Sequence, residues 1–220
     1  MPADYFQPNS TSEADKKAVS RAYDFVLGWF GGPWTDGDYP QTLKDTLGDK
    51  LPKYTEEEKA IIKGSCDFYA IDAYTGYSIN ALEDEADCVG NSTAPGFPEC
   101  VNQAGTNPDG FGIGPSSDPT LAWLKSTPLG IRKFLSVITK ELFPAVKEIM
   151  VTEFGFAEPF ESQYDTIQDA TWDLRRVDYL QNYLDSILLA IHEDGINVTG
   201  AFVWSICKNP AIYDESVVLT

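Results

Sequence analysis

Apolar residues recur along this chain with two periods, close to four and close to two, and the switches between them divide it into elements. Ser12, with Asp15 three residues on, has the form of a helix start, and Ala18, Ala22, Phe25, Val26, Trp29 and Phe30 follow at helical spacing. Gly31, Gly32 and Pro33 then predict a stop, PWTDGDYP a turn-rich loop, and QTLKDTLG a short helix. Thr55 and Glu58 form a second capping box, opening a helix that runs to Gly64. Cys66–Thr75 reads as a strand with Asp72 and Tyr74 on one face. Residues 76–127, rich in Gly, Pro, Asn and Asp, predict a long loop of the kind used for lids or binding. Thr127 and Pro128 open a helix that buries Ile131, Phe134, Leu135 and Ile138. Residues 149–153 form a strand. Residues 172–194 predict a helix with Val177, Leu180, Leu184, Ile187, Leu188 and Ile191 inward, ended by Gly195. Gly200–Ile206 reads as the last strand, with Phe202, Trp204 and Ile206 on one face. Residues 1–10 read as a loose arm, and the tail after Cys207 has no clear period.

Helices alternating with strands predict a parallel sheet with right-handed crossovers, in one domain. Such sheets bind ligands at the C-terminal ends of their strands. Asp72, Tyr74, Glu153 and Trp204 fall near those ends. Glu153 closes the run IMVTEFGF, where strict alternation places it on the same side as Ile149 and Val151. A carboxylate there needs a partner, or a strand end that faces a cavity.

Charge narrows the ligand. Across 220 residues, 34 acidic and 16 basic side chains leave a net charge of −18. That field disfavours nucleic acid and anionic membrane as partners, and no apolar run reaches transmembrane length. The first residues lack a signal-peptide pattern, which makes the cytoplasm the default location. No C-x-x-C pair occurs, and with His192 as the one histidine, beside Glu193 and Asp194, neither a metal site nor a cofactor is expected. Cys88 and Cys100 flank a polar loop that a disulfide would close, stabilising by roughly 2–3 kcal/mol. Sequons begin at Asn9, Asn91 and Asn197, a weak sign of secretory ancestry.

Four blocks, FVLGWFGGPWTDGDYP, LPKYTEEEKAIIKGSCDFYAIDAYT, IMVTEFGF and RRVDYLQNYLDSILLAIHEDGINVTGAFVWS, stand in the order found in glycoside hydrolase family 1, the β-glucosidase family. The chain resembles the C-terminal half of that family's domain, which implies half of a TIM-type (β/α)₈ barrel, from the fifth helix through the eighth strand. The loop with Cys88 and Cys100 resembles secreted fungal members. By resemblance Glu153 is the catalytic nucleophile, Tyr74 its hydrogen-bond partner, and Trp204 a wall of the sugar pocket, with Phe154 and Phe156 as further candidates for substrate contact. Asp72 stands where the family usually has asparagine, and Ala73 where an aromatic is common.

The departures are as informative. Retaining glycosidases need a second carboxyl group roughly 5–5.5 Å from the nucleophile. The family supplies it from an N-E-P motif, which is absent here. Ala211 and Ile212 replace the sugar-binding glutamate and tryptophan expected after strand eight. The expectation is therefore a non-hydrolytic enzyme using Glu153 with Asp72 or Tyr74 for proton transfer on a small, fairly apolar molecule in a cyclisation, isomerisation or elimination. A β-glucosidase remnant needing a partner half, and a non-catalytic binding protein, are the alternatives. Open sheet edges predict a homodimer.

Overall fold

The computed structural model describes residues 4–107, 109–110 and 112–205. The expected tail, with Ile206, Cys207, Ala211 and Ile212, lies outside them. Three strands, β2 (Tyr69–Asp72), β5 (Ile149–Phe154) and β6 (Val198–Val203), form a wholly parallel sheet in the order β2-β5-β6. Tyr69 is in register with Ile149, and Ile149 with Val198. The crossover into β5 carries α6 (Pro128–Ser136), and that into β6 carries α8 (Leu174–His192). Tyr69, Ile71, Ile149, Val151 and Phe154 are buried in one cluster with Ile131, Phe134, Leu135 and Ile138 of the α6 segment and Tyr179, Tyr183 and Ile187 of α8. No helix among the described residues is long and apolar enough to cross a membrane.

Several helix signals act as the sequence implies. Ser12 accepts the Asp15 N–H and starts α1 (Glu13–Tyr23). Thr55 and Glu58 cap each other reciprocally at the start of α4 (Glu56–Ile62). The stop at Gly31-Gly32-Pro33 does not occur. The helix continues from α1 through a π turn at Asp24–Gly28 into α2 (Trp29–Asp36), and ends at Gly37 with φ 86°. The glycines have a packing role instead: a Cβ on Gly31 would collide with the Phe143 ring. Glycine here permits close approach of the helix to a buried aromatic.

The expected loose arm is a strand, β1 (Tyr5–Pro8), parallel to β3 (Gly76–Ala81). Tyr23 of α1 fixes it: Phe6 N–H donates to the phenol oxygen at 2.8 Å, and the phenol donates back to Phe6 O at 3.1 Å. Residues 76–127 are likewise not a single loop. They contain β3, the short helix α5 (Glu85–Cys88) and β4 (Val101–Ala104), which pairs antiparallel with β3. Cys88 and Cys100 are joined, and Arg21 of α1 donates to the Glu99 and Pro98 carbonyls beside the bridge. Short helices α3 (Gln41–Leu47) and α7 (Ile167–Thr171) complete the set.

The buried stripe of α8 differs from the expected one. Tyr179, Tyr183, Ile187 and Ala190 are buried, whereas Val177 is 61% exposed, Leu184 40% and Leu188 49%. Tyrosines win the inward face because their rings fill the space above Phe154 and Phe156 and their hydroxyls find acceptors. Leu180 and Ile191 pack against the core at its margin as expected, whereas Val177, Leu184 and Leu188 form an adjoining outward stripe.

Two measurements test these devices. Replacing Cys88 and Cys100 with alanine removes a bridge spanning 12 positions, and the chain-entropy cost of roughly 2–3 kcal/mol lowers Tm by about 4–12 °C in a chain of this size. An unchanged melting curve rejects the bridge as a stabiliser. Asp4 accepts the Thr75 N–H at 3.1 Å, and burial raises its pKa from 3.8 to about 6. The folded state thus binds this proton more tightly than the unfolded state, so Asp4's contribution is full below pH 3.8 and is lost as pH rises through about 6. Asp4→Asn is expected to raise Tm relative to the parent at pH 7, with the gap closing by pH 4. A pH-independent gap contradicts the assignment.

Candidate functional site

Three sequence-predicted residues meet where β2 and β5 end. Glu153 and Asp72 are in register across the two strands, and Tyr74 follows two residues after β2 closes. The Tyr74 hydroxyl donates to Glu153 Oε2 at 2.8 Å. Burial, then the hydrogen bond to Glu153 and the charges of Glu153 and Asp72, push the Tyr74 phenol well above its usual range. It therefore remains a protonated donor at any ordinary pH, and the carboxylate oxygen facing it is fixed in direction.

Glu153 does not share a face with Ile149 and Val151. Alternation holds from Ile149 to Thr152 and then slips by one residue, so Phe154 rather than Glu153 follows Val151 into the helix layer. The pairing records the same slip: Ile71 opposes Val151 but Asp72 opposes Glu153. Thr152, the residue skipped, donates its hydroxyl to Ile71 O at 3.0 Å and Asp72 Oδ1 at 2.7 Å. A bulge at a strand end re-aims a side chain, and here it turns a carboxylate away from the apolar layer, where its charge would be costly.

Phe154 and Phe156 do not line the strand-end opening. Both are buried against α8, Phe154 stacking on Tyr183 and Phe156 on Tyr179 at centroid distances of 6.1 and 5.0 Å. Trp204 is 52% exposed just past β6, and its backbone N–H donates to Phe154 O at 2.9 Å. Gly155 allows that approach, because a Cβ there would run into the Trp204 carbonyl. Gly155, two residues after Glu153, thus sets the spacing between the end of β5 and the backbone of Trp204.

Trp123 is a residue that periodicity did not single out. It sits in the 76–127 region, packs edge-on against Tyr74 at 5.9 Å, and is 46% exposed. Tyr77 holds its carbonyl at 3.2 Å. Nothing in local spacing marks it, since its position depends on the β3 pairing that brings the insertion over the strand ends. Asp118, from the same region, accepts the Phe160 N–H at 2.8 Å, tying the insertion to the segment after β5. His192 closes α8 at the surface, on a different element from these residues. A separate cavity of about 220 Å³, lined by Tyr23, Asp24, Pro40 and Phe143 among others, includes none of the candidate residues.

The arrangement is a carboxylate held by a tyrosine hydroxyl and in register with a second carboxylate, at the C-terminal ends of parallel strands, with the half-exposed Trp123 against that tyrosine and the half-exposed Trp204 just past β6. Residues 1–213 match the model for glycosyl hydrolase family 1. Beta-glucosidase 1B of Phanerodontia chrysosporium is 37% identical over 207 residues, spanning 94% of this chain and 35% of the relative. Raucaffricine-O-beta-D-glucosidase of Rauvolfia serpentina is 37% identical over 202 residues, spanning 91% and 36%. Among solved structures, beta-glucosidase 2 of Trichoderma reesei superposes with TM-score 0.81 at 34% identity, covering 93% of this chain and 42% of that one. The Humicola insolens enzyme gives TM-score 0.80 at 31% identity, covering 93% and 41%. The chain thus spans well under half the length of these relatives. It belongs to glycosyl hydrolase family 1 and has the fold of a partial (β/α)₈ barrel.

Proposed function

We propose that this chain carries the nucleophile side of a retaining β-glucosidase site, with Glu153 as nucleophile and Tyr74 as the donor that orients it. The observation behind this reading is the 2.8 Å Tyr74–Glu153 hydrogen bond at the open end of a parallel sheet. Trp204 and Trp123 are the apolar walls against which a sugar ring and its leaving group would lie. In this reading the acid/base carboxyl that retention requires is not among these 220 residues, in which no N-E-P occurs. Asp72 is given a supporting place in this reading, since its Oδ1 accepts from Thr152. Non-hydrolytic acid/base chemistry by Glu153 and Asp72, expected from the departures in sequence, gains no support from relatives that are β-glucosidases.

We also propose that the isolated chain self-associates. A family barrel closes with eight parallel strands, whereas three form the wholly parallel sheet among the described residues. Both faces of β6 carry exposed residues, including Phe202 and Val203. Unpaired strand edges with apolar neighbours favour pairing with another chain.

Two experiments decide these points. On a chromogenic β-glucoside, the chain alone is expected to show no Glu153-dependent turnover. Mixed with a separately expressed N-terminal segment of a full-length family member carrying N-E-P, it is expected to gain turnover that Glu153→Gln abolishes, by on the order of 10⁴-fold or more. Turnover in the mixture that survives Glu153→Gln rules out Glu153 as nucleophile. Size-exclusion chromatography with light scattering is expected to give a species heavier than the 24.3 kDa monomer. A clean monomer rejects self-association.

A further inference from the structure

The peptide that presents Tyr74 lies just beyond the paired part of β2, and its hydrogen bonds come from several directions. Ala73 N–H still donates to Glu153 O at 2.9 Å. Thr75 N–H goes to the Asp4 carboxylate, and Thr75 O accepts from Tyr5 N–H at 3.2 Å. Between them, the Tyr74 carbonyl accepts from two side chains of α8: the Tyr183 hydroxyl at 2.7 Å and the Tyr179 hydroxyl at 3.1 Å. A carbonyl oxygen has two lone pairs, so this acceptor is saturated by the pair.

We infer that Tyr179 and Tyr183 are positioning residues for the Glu153 site, their two hydroxyls jointly fixing the Tyr74 peptide so that its phenol stays on Glu153. The rings are suited to the task. They stack on each other at 4.0 Å, and each stacks on a phenylalanine of the Glu153 segment, Tyr179 on Phe156 and Tyr183 on Phe154. Both are about 1% exposed. Packing alone would be served by phenylalanine, and a buried phenol without an acceptor is costly. Two adjacent phenols sharing one acceptor make sense if that acceptor's orientation matters. Tyr183 is further tied to the first turn of α6, since its oxygen accepts the Thr127 N–H at 3.2 Å. The route runs from α8 to the Tyr74 carbonyl, through the Tyr74 backbone to its side chain, and from there to Glu153 Oε2.

This inference rests on Tyr74 and Glu153 being the functional pair, but its test needs no turnover. In the full chain labelled with ¹³C at tyrosine Cζ, Tyr74→Phe assigns the Tyr74 signal, and Glu153→Gln marks where that signal moves when the carboxylate is neutralised. Tyr179→Phe is expected to leave the signal near its parent position, because one donor remains. Tyr179→Phe with Tyr183→Phe is expected to carry it to the Glu153→Gln position while far-UV circular dichroism is unchanged. A folded double variant with an unmoved Tyr74 signal overturns the inference. If the double variant does not fold, the singles decide: Tyr183→Phe, which deletes the shorter bond, must move the signal further than Tyr179→Phe, and an equal or reversed order overturns it. Absence of Glu153-dependent turnover in the mixed barrel would reject the β-glucosidase reading and leave this result standing.

Discussion

The hydrogen bond from Tyr74 to Glu153 is the contact on which the rest of the strand-end geometry converges. It requires two side chains from neighbouring strands to meet although each strand alone would send its residues alternately in and out. The slip at Thr152 solves half of that problem by turning Glu153 out of the helix layer and sending Phe154 in. The pair of α8 tyrosines bears on the other half, because they bond the carbonyl of the residue that carries the phenol. The aromatic column Phe154–Tyr183–Tyr179–Phe156 connects the two. Packing and polar orientation are therefore one structure here: the rings that bury apolar area also place the hydroxyls.

Much of this was legible in the sequence, and what was not has identifiable causes. Capping at Ser12 and Thr55 is local chemistry, so it could be read directly. Glu153 and Tyr74 could be placed near strand ends from the pattern, and their pairing was implied by the family resemblance. The face of Glu153 could not, because period-2 reasoning assumes an unbroken ladder and a one-residue bulge inverts its answer. β1 and β3 were invisible for a different reason. Each is short, β1 ends in proline, and they are stabilised by pairing across some seventy residues rather than by any strong local pattern. The helix through Gly31, Gly32 and Pro33 shows tertiary packing overriding propensity, with the Phe143 ring occupying the space that side chains would need.

The same non-local pairing explains why the insertion matters. Residues 76–127 look like a lid by composition, yet they are anchored at β3 and β4, at the Cys88–Cys100 bridge, and by Arg21 from α1. Asp15 of α1 adds a bond to Ala81 N–H at 2.8 Å. An insertion held at so many points presents Trp123 to Tyr74 as a fixed wall rather than a swinging cover. Rigid placement would suit the ring-binding role proposed for Trp123, since misplacement of about 1 Å can cost 10²-fold in rate.

A lone oriented nucleophile is not a glycosidase. Displacement at an anomeric carbon develops negative charge on the leaving oxygen as well as positive charge on the sugar, and retention requires an acid to protonate that oxygen before the same group, as a base, activates water. On the reading proposed above, Glu153 would supply the attack and Tyr74 would hold its Oε2, which leaves the acid's work to another group. The Tyr74 phenol is pushed further from ionisation by the same carboxylate it serves. Asp72, close in register to Glu153 and bonded to Thr152, is an acceptor in this geometry. The chemistry is thus divided as the barrel is. On the proposed reading, the described strands hold the carboxylate that would attack the sugar, and the acid that would release the leaving group belongs on strands that complete the sheet.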